Sequence, residues 1–130
     1  MKTRELDKHF YLNYLKKAED FLQGCKNAIE NKNWNSVVSL AIHSGICAAD
    51  ALCIFYLGKR SAGESHDEFI HLINGIDIKD VNIKIKQLSS LIGVKNSVEY
   101  SENLMSEKDA LSAKQNAERF LSWVRSNLPK

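Results

Sequence analysis

Proline is nearly missing from this chain: one residue in 130, with only six glycines. An all-β fold, which turns every few residues, would need more of both. Cysteine is scarce and odd in number at three, which excludes a disulfide scaffold. Charge of one sign is lacking too. Lys and Arg total 18 against 16 Asp and Glu, a net +2. Residues 1–65 hold nine basic and seven acidic side chains, and residues 66–130 hold nine of each. Neither half exerts a bulk electrostatic pull on nucleic acid. The charged stretch Met1 to Lys8 is not followed by an apolar signal core, so no secretory signal is expected. No repeat, linker or low-complexity run interrupts the chain. What is present is ordinary globular composition, 44% apolar and 26% charged. The length suits a single domain, residues 1–130, able to bury about two-thirds of its unfolded surface.

One run has membrane length. Of the 21 residues Val37 to Leu57, all but Ser39, His43, Ser44 and Asp50 are apolar or Gly. A carboxylate near mid-bilayer is costly, and no aromatic belt flanks the run. It reads as a buried core helix, with no membrane partner. Cys25, Cys47 and Cys53 fall in apolar-periodic stretches and read as buried, reduced thiols of a cytoplasmic protein.

Apolar residues recur at three-to-four spacing along most of the chain. Leu15, Ala18, Phe21/Leu22, Cys25 and Ala28/Ile29 mark a first helix over about 6 to 30. The second helix, about 35 to 57, is apolar nearly all round and should be central. Gly58 to Ser65 reads as a loop. Ser65 and Glu68 then read as a capping box opening a short third helix, which Gly75 stops. Val81, Ile85, Leu88, Leu91/Ile92 and Val98 give a fourth helix over about 79 to 98. Ser106 and Asp109 resemble a second capping box, followed by a fifth helix that Pro129 ends. The predicted fold is all-α: an up-and-down bundle of four long helices plus one short helix.

Chemistry is sparse. His43 and Cys47 share a helix face, but no further ligand stands at a recognisable spacing, so no metal site and no cofactor are expected. Gly58 and Gly63 have phosphate-loop spacing, yet Glu64-Ser65 follows where Lys-Ser/Thr is needed. His43, Cys47 and Asp50 form one stripe, but adjacent turns hold His43 and Asp50 about 10 Å apart, too far for a relay. Asp50, on an apolar helix, needs a partner, and Lys59 or Arg60 offers one. Lys59, Arg60, Ser61, Ser65 and His66 gather around the start of the third helix, where amides and dipole favour an anion. Ser44, Gly45, Ala48 and Ala49 are a small-residue patch. It serves either packing within the bundle or a seam between two copies.

From about residue 10 to 127, the chain resembles the HEPN domain family. The resemblance is carried by SVVSLAIHSGICAADALCIFYLG, GKRSAGESHDEFIHLI, LSSLIGVKNSVEYS and the closing ERFLSWVRSNL. It implies a bundle of four to five helices, commonly dimeric. Many members are ribonuclease toxins paired with a small nucleotidyltransferase antitoxin; others are non-catalytic binding modules. The family's ribonuclease motif is Arg, a polar residue, three or more residues, then His. Here Lys95 stands for Arg, Asn96 for the polar residue, and Tyr100 or Ser101 in the region of the His; no His follows residue 71. A general acid/base is therefore missing from that segment, because Tyr is a poor base at pH 7. The resemblance and this departure together suggest a non-catalytic, HEPN-like homodimeric interaction module. It would belong to a toxin–antitoxin or nucleotidyltransferase-associated system, with a nucleotidyltransferase-type protein, RNA or nucleotide as partner. The alternative is a metal-independent endoribonuclease with a degenerate site at Lys95, Asn96 and Tyr100.

Overall fold

The structure, a computed structural model, describes residues 2–63 and 66–130, without the side chain of His66. A strand β1 (Thr3–Glu5) and a 3-10 turn (Lys8–Phe10) precede the helices α1 (Tyr11–Glu30) and α2 (Trp34–Leu57). A strand β2 (Lys59–Ser61) leads to α3 (His66–Asn74), α4 (Val81–Ile92), α5 (Lys95–Tyr100) and α6 (Glu107–Ser126). The all-α bundle expected from the periodicity is present.

Helix α2 is the axis and touches each of the other five helices. Its all-round apolar sequence is why. Val37, Val38, Ala41, Ile42, Ala48, Ala49, Leu52 and Ile54 are all buried. This helix is long and apolar enough to cross a membrane, and 72% of its apolar window lies inside the fold. Helices α1 and α6 flank it with ordinary amphipathic faces, Ala18, Leu22 and Cys25 from one, Ala117, Phe120 and Val124 from the other. Ser106 caps α6 as read: Asp109 N–H donates to Ser106 Oγ at 3.1 Å, and Ser106 N–H donates to Asp109 Oδ2 at 2.9 Å. Those bonds hold the Asp109 carboxyl below its ordinary range.

Two departures matter for the site. Residues 58–65, read as a loop, contain β2, which pairs antiparallel with β1 in the register Thr3–Ser61, Arg4–Arg60, Glu5–Lys59. Gly58 enables this at φ +70°, a left-handed cap whose N–H donates to Ile54 O and ends α2. Three-residue strands carry no periodic signal, and their pairing joins distant segments. The second departure is the fourth helix, read as continuous over 79–98. It breaks at Gly93–Val94, where Val94 leaves helical geometry at φ −99°, ψ 2°. The segment after the break, α5, is thereby re-aimed onto α2. Ser65, read as the cap of α3, lies outside the described residues.

Candidate functional site

The break at Gly93 brings two short side-chain ladders face to face. On α2, Ser39 and His43 are four residues apart and share a face. On α5, Lys95 and Glu99 do the same. Glu99 is the hub. Its Oε1 lies 2.9 Å from His43 Nε2 and accepts from Ser39 Oγ at 3.1 Å, while Oε2 lies 3.9 Å from Lys95 Nζ. Lys95 and Glu99 are largely covered, with side-chain exposures of 15% and 17%, whereas His43 is 40% exposed. A carboxylate accepts, so Nε2 carries the hydrogen towards Glu99 and Nδ1 is left as the second ring nitrogen. Phe21 packs on the imidazole, ring centres 5.7 Å apart.

This changes the reading of the Lys95 segment. Lys95, Asn96 and Tyr100 do not assemble: Lys95 turns inward to Glu99, while Asn96 and Tyr100 are exposed, the latter at 73%. The imidazole absent from residues 95–101 stands instead on α2, as His43, against the same Glu99 that pairs with Lys95. Sequence reasoning weighed His43 only against Cys47 and Asp50 on its own helix. The i, i+4 spacings of Ser39/His43 and Lys95/Glu99 were the available signal. Their 56-residue separation hid the meeting.

The stripe continues differently at Asp50, which is only 4% exposed. Burial pushes its carboxyl up to about 7, against the pull of Arg60 and Lys17. Arg60 is thus a partner by charge, as expected, though no hydrogen bond joins the two; Lys59 is not among the groups that act on Asp50. Burial also pushes the thiols of Cys25 and Cys47 up to about 11 and that of Cys53 to about 12. Thiols so raised stay protonated at neutral pH and are not activated nucleophiles. Among the described residues no three His, Cys, Asp or Glu side chains converge as metal ligands.

Among the described residues, Lys59, Arg60 and Ser61 are not brought together as an anion cluster at the start of α3. The Ser61 hydroxyl donates inward, to Gly63 O at 3.1 Å and to Glu68 Oε2 at 3.2 Å, so a carboxylate already stands there. Arg60 turns towards α1, its guanidinium 5.4 Å from the Tyr14 ring centre. Lys59 sits on β2 opposite Glu5. Ser65 and the side chain of His66 lie outside the described residues.

The small-residue patch is not available as a seam between copies. Ser44, Gly45, Ala48 and Ala49 are all buried within one chain. Ser44 Oγ donates to Ala18 O of α1 at 2.8 Å, and Gly45 lets α4 approach. A Cβ at Gly45 would stand 2.9 Å from Leu91 Cδ1. Gly45→Ala should therefore lower stability by about 1–2 kcal/mol in urea unfolding, despite alanine's better helix propensity. An unchanged or raised midpoint would show that Leu91 yields freely.

Helices α2, α4, α5 and α6 and the loop before α6 line a half-open groove of about 620 Å³. Val38, Leu91 and Ala113 form its floor; Val94, Leu104 and Met105 form its lip, with Leu104 82% exposed.

A family model for the HEPN domain matches residues 11–127. The chain belongs to the HEPN domain family. The match runs from α1 to the residue after α6, so it takes in all six helices, and residues 1–10, with the N-terminal strand and 3-10 turn, and residues 128–130 lie outside it. A search of the curated proteins finds no match.

Proposed function

We propose that this HEPN domain is a non-catalytic, homodimeric interaction module of the cytoplasm, working in a toxin–antitoxin or nucleotidyltransferase-associated pair. The observation that carries this reading is the inward turn of Lys95 onto Glu99. The family's cation position is thereby covered and charge-paired, while Asn96 and Tyr100 point away to solvent. Exposed apolar side chains near the groove, Val94, Leu104 and Leu111, support a protein partner. With the small-residue patch inside the chain, the seam of a dimer falls on another surface.

A second reading keeps RNA cleavage, and a specific contact favours it. Glu99 holds His43 at 2.9 Å, the carboxylate–imidazole geometry that orients a general acid/base. In this reading His43 moves the proton of the attacking hydroxyl, Glu99 steadies the imidazolium, and Lys95 sets the local charge.

Light scattering on the purified chain, repeated with a labelled single-stranded RNA and no metal, separates the two. The interaction-module reading expects a dimer and intact RNA. Cleavage that disappears in His43→Ala but persists in Tyr100→Phe would overturn it and establish the second. A monomer with no affinity for RNA, nucleotide or a nucleotidyltransferase-type protein would sink both.

A further inference from the structure

The strand pair at the N-terminus sets two arginines directly opposite each other, Arg4 against Arg60. Directly opposed residues of an antiparallel pair share a face, with Cβ atoms about 5 Å apart, and like charges there repel. A third cation joins them. The Arg60 guanidinium lies 5.4 Å, and Lys17 Nζ 5.3 Å, from the centre of the same Tyr14 ring. Some cations elsewhere find carboxylates: Lys16 on Asp20, Lys26 and Lys114 on Glu118, Arg125 on Glu19. Among the described residues Arg4, Lys17 and Arg60 have no such pair.

One buried polar atom in this cluster also lacks a hydrogen-bond partner, and a buried carboxyl lies near it. Arg60 Nε is buried and donates to nothing among the described residues, while its Nη1 donates to Ser61 O at 2.9 Å. Asp50, nearly fully buried, feels both Arg60 and Lys17 yet is bonded to neither. A buried donor left unpaired costs stability, so such groups mark places where a partner belongs. Asp50 is not a full counter-charge, because burial leaves it only about half ionised near neutrality.

We infer that Arg4, Lys17 and Arg60 form a binding site for a small phosphate-class oxyanion. Such an anion accepts several N–H donors at once, including the unpaired Nε–H of Arg60, and removes the Arg4–Arg60 repulsion. The Tyr14 ring forms an apolar backing that holds both Lys17 and Arg60. Free phosphate and a small phosphomonoester share this chemistry. The inference does not rest on the function proposed above, since it uses none of Ser39, His43, Lys95 or Glu99.

The test is an NMR titration of the full chain with inorganic phosphate, and separately with glycerol 3-phosphate, at fixed ionic strength. Saturable shifts at Arg4, Lys17 and Arg60 are expected. Arg4→Gln and Arg60→Gln should each weaken binding about tenfold, and Lys86→Gln, on the exposed face of α4, should leave it unchanged. Arg4 is exposed, so its variant keeps the test sound even if Arg60→Gln folds poorly. Equal affinity for both probes assigns a free oxyanion; tighter binding of glycerol 3-phosphate assigns a phosphomonoester. Shifts that never saturate, or that survive in Arg4→Gln with unchanged affinity, would overturn the site.

Discussion

Asp50→Asn makes the fold more stable at pH 8 and flattens its loss of stability with rising pH. The Asp50 carboxyl is raised from 3.8 to about 7 in the folded chain, because burial disfavours its charge more than Arg60 and Lys17 favour it. The sign follows. Between those values the folded chain holds a proton that the unfolded chain has released, so stability falls as pH rises. The slope is about 1.4 kcal/mol per pH unit, or about 4 kcal/mol across the window. The stability is fully present below about 3.8 and lost above about 7. An amide has no charge to bury, though its own unmet hydrogen bonds cost about 1–2 kcal/mol. Asp50→Asn should therefore gain about 2–3 kcal/mol at pH 8 and lose about 1–2 kcal/mol near pH 4, where the wild-type carboxyl is protonated. Urea unfolding of both chains at pH 4, 6 and 8 measures the difference. A wild-type-minus-variant difference that stays flat with pH would mean that Asp50 is ionised throughout.

Glu99→Ala should cost about 2–3 kcal/mol and release α5 before the rest of the fold. One carboxylate accepts from Ser39 and His43 and pairs with Lys95. Hydrogen bonds to a charged group contribute about 1.5–3 kcal/mol, and a largely covered Lys95 then loses this counter-charge. Helix α5 is six residues long and contributes no buried residue, so little else holds it. Hydrogen exchange should quicken over residues 95–100, with α2 and α6 still protected. Glu99→Gln, which keeps acceptor capacity but not charge, should lie about midway. Exchange in α5 that does not change would show that Val98 packing alone secures it.

The architecture was legible because helical periodicity is a local signal. Residue spacing along α1 and α2 marked their buried faces, Ala18, Leu22 and Cys25 in one and Val37 to Ile54 in the other. The capping box at Ser106 and Asp109 was legible for the same reason, as both partners lie within one turn. The break at Gly93 was not. Its spacing runs on through Val98, and a glycine within a helical pattern only weakens the helix. The candidate site was half legible. Lys95 was singled out, but its true neighbours were assigned to its own segment, where Asn96 and Tyr100 are the nearest in sequence and face solvent.

By itself, then, the sequence determined an all-α bundle around one apolar helix, its resemblance to HEPN domains, and the lack of a His after residue 71. Tertiary structure alone decided which side chains meet. It set His43 on Glu99 across 56 residues, Arg4 opposite Arg60 across a strand pair, and the small-residue patch inside the chain. The reason is physical. Burial and helicity are properties of a residue and its near neighbours, whereas an ion pair or a hydrogen bond needs two distant groups within about 4 Å, which only the packed chain provides.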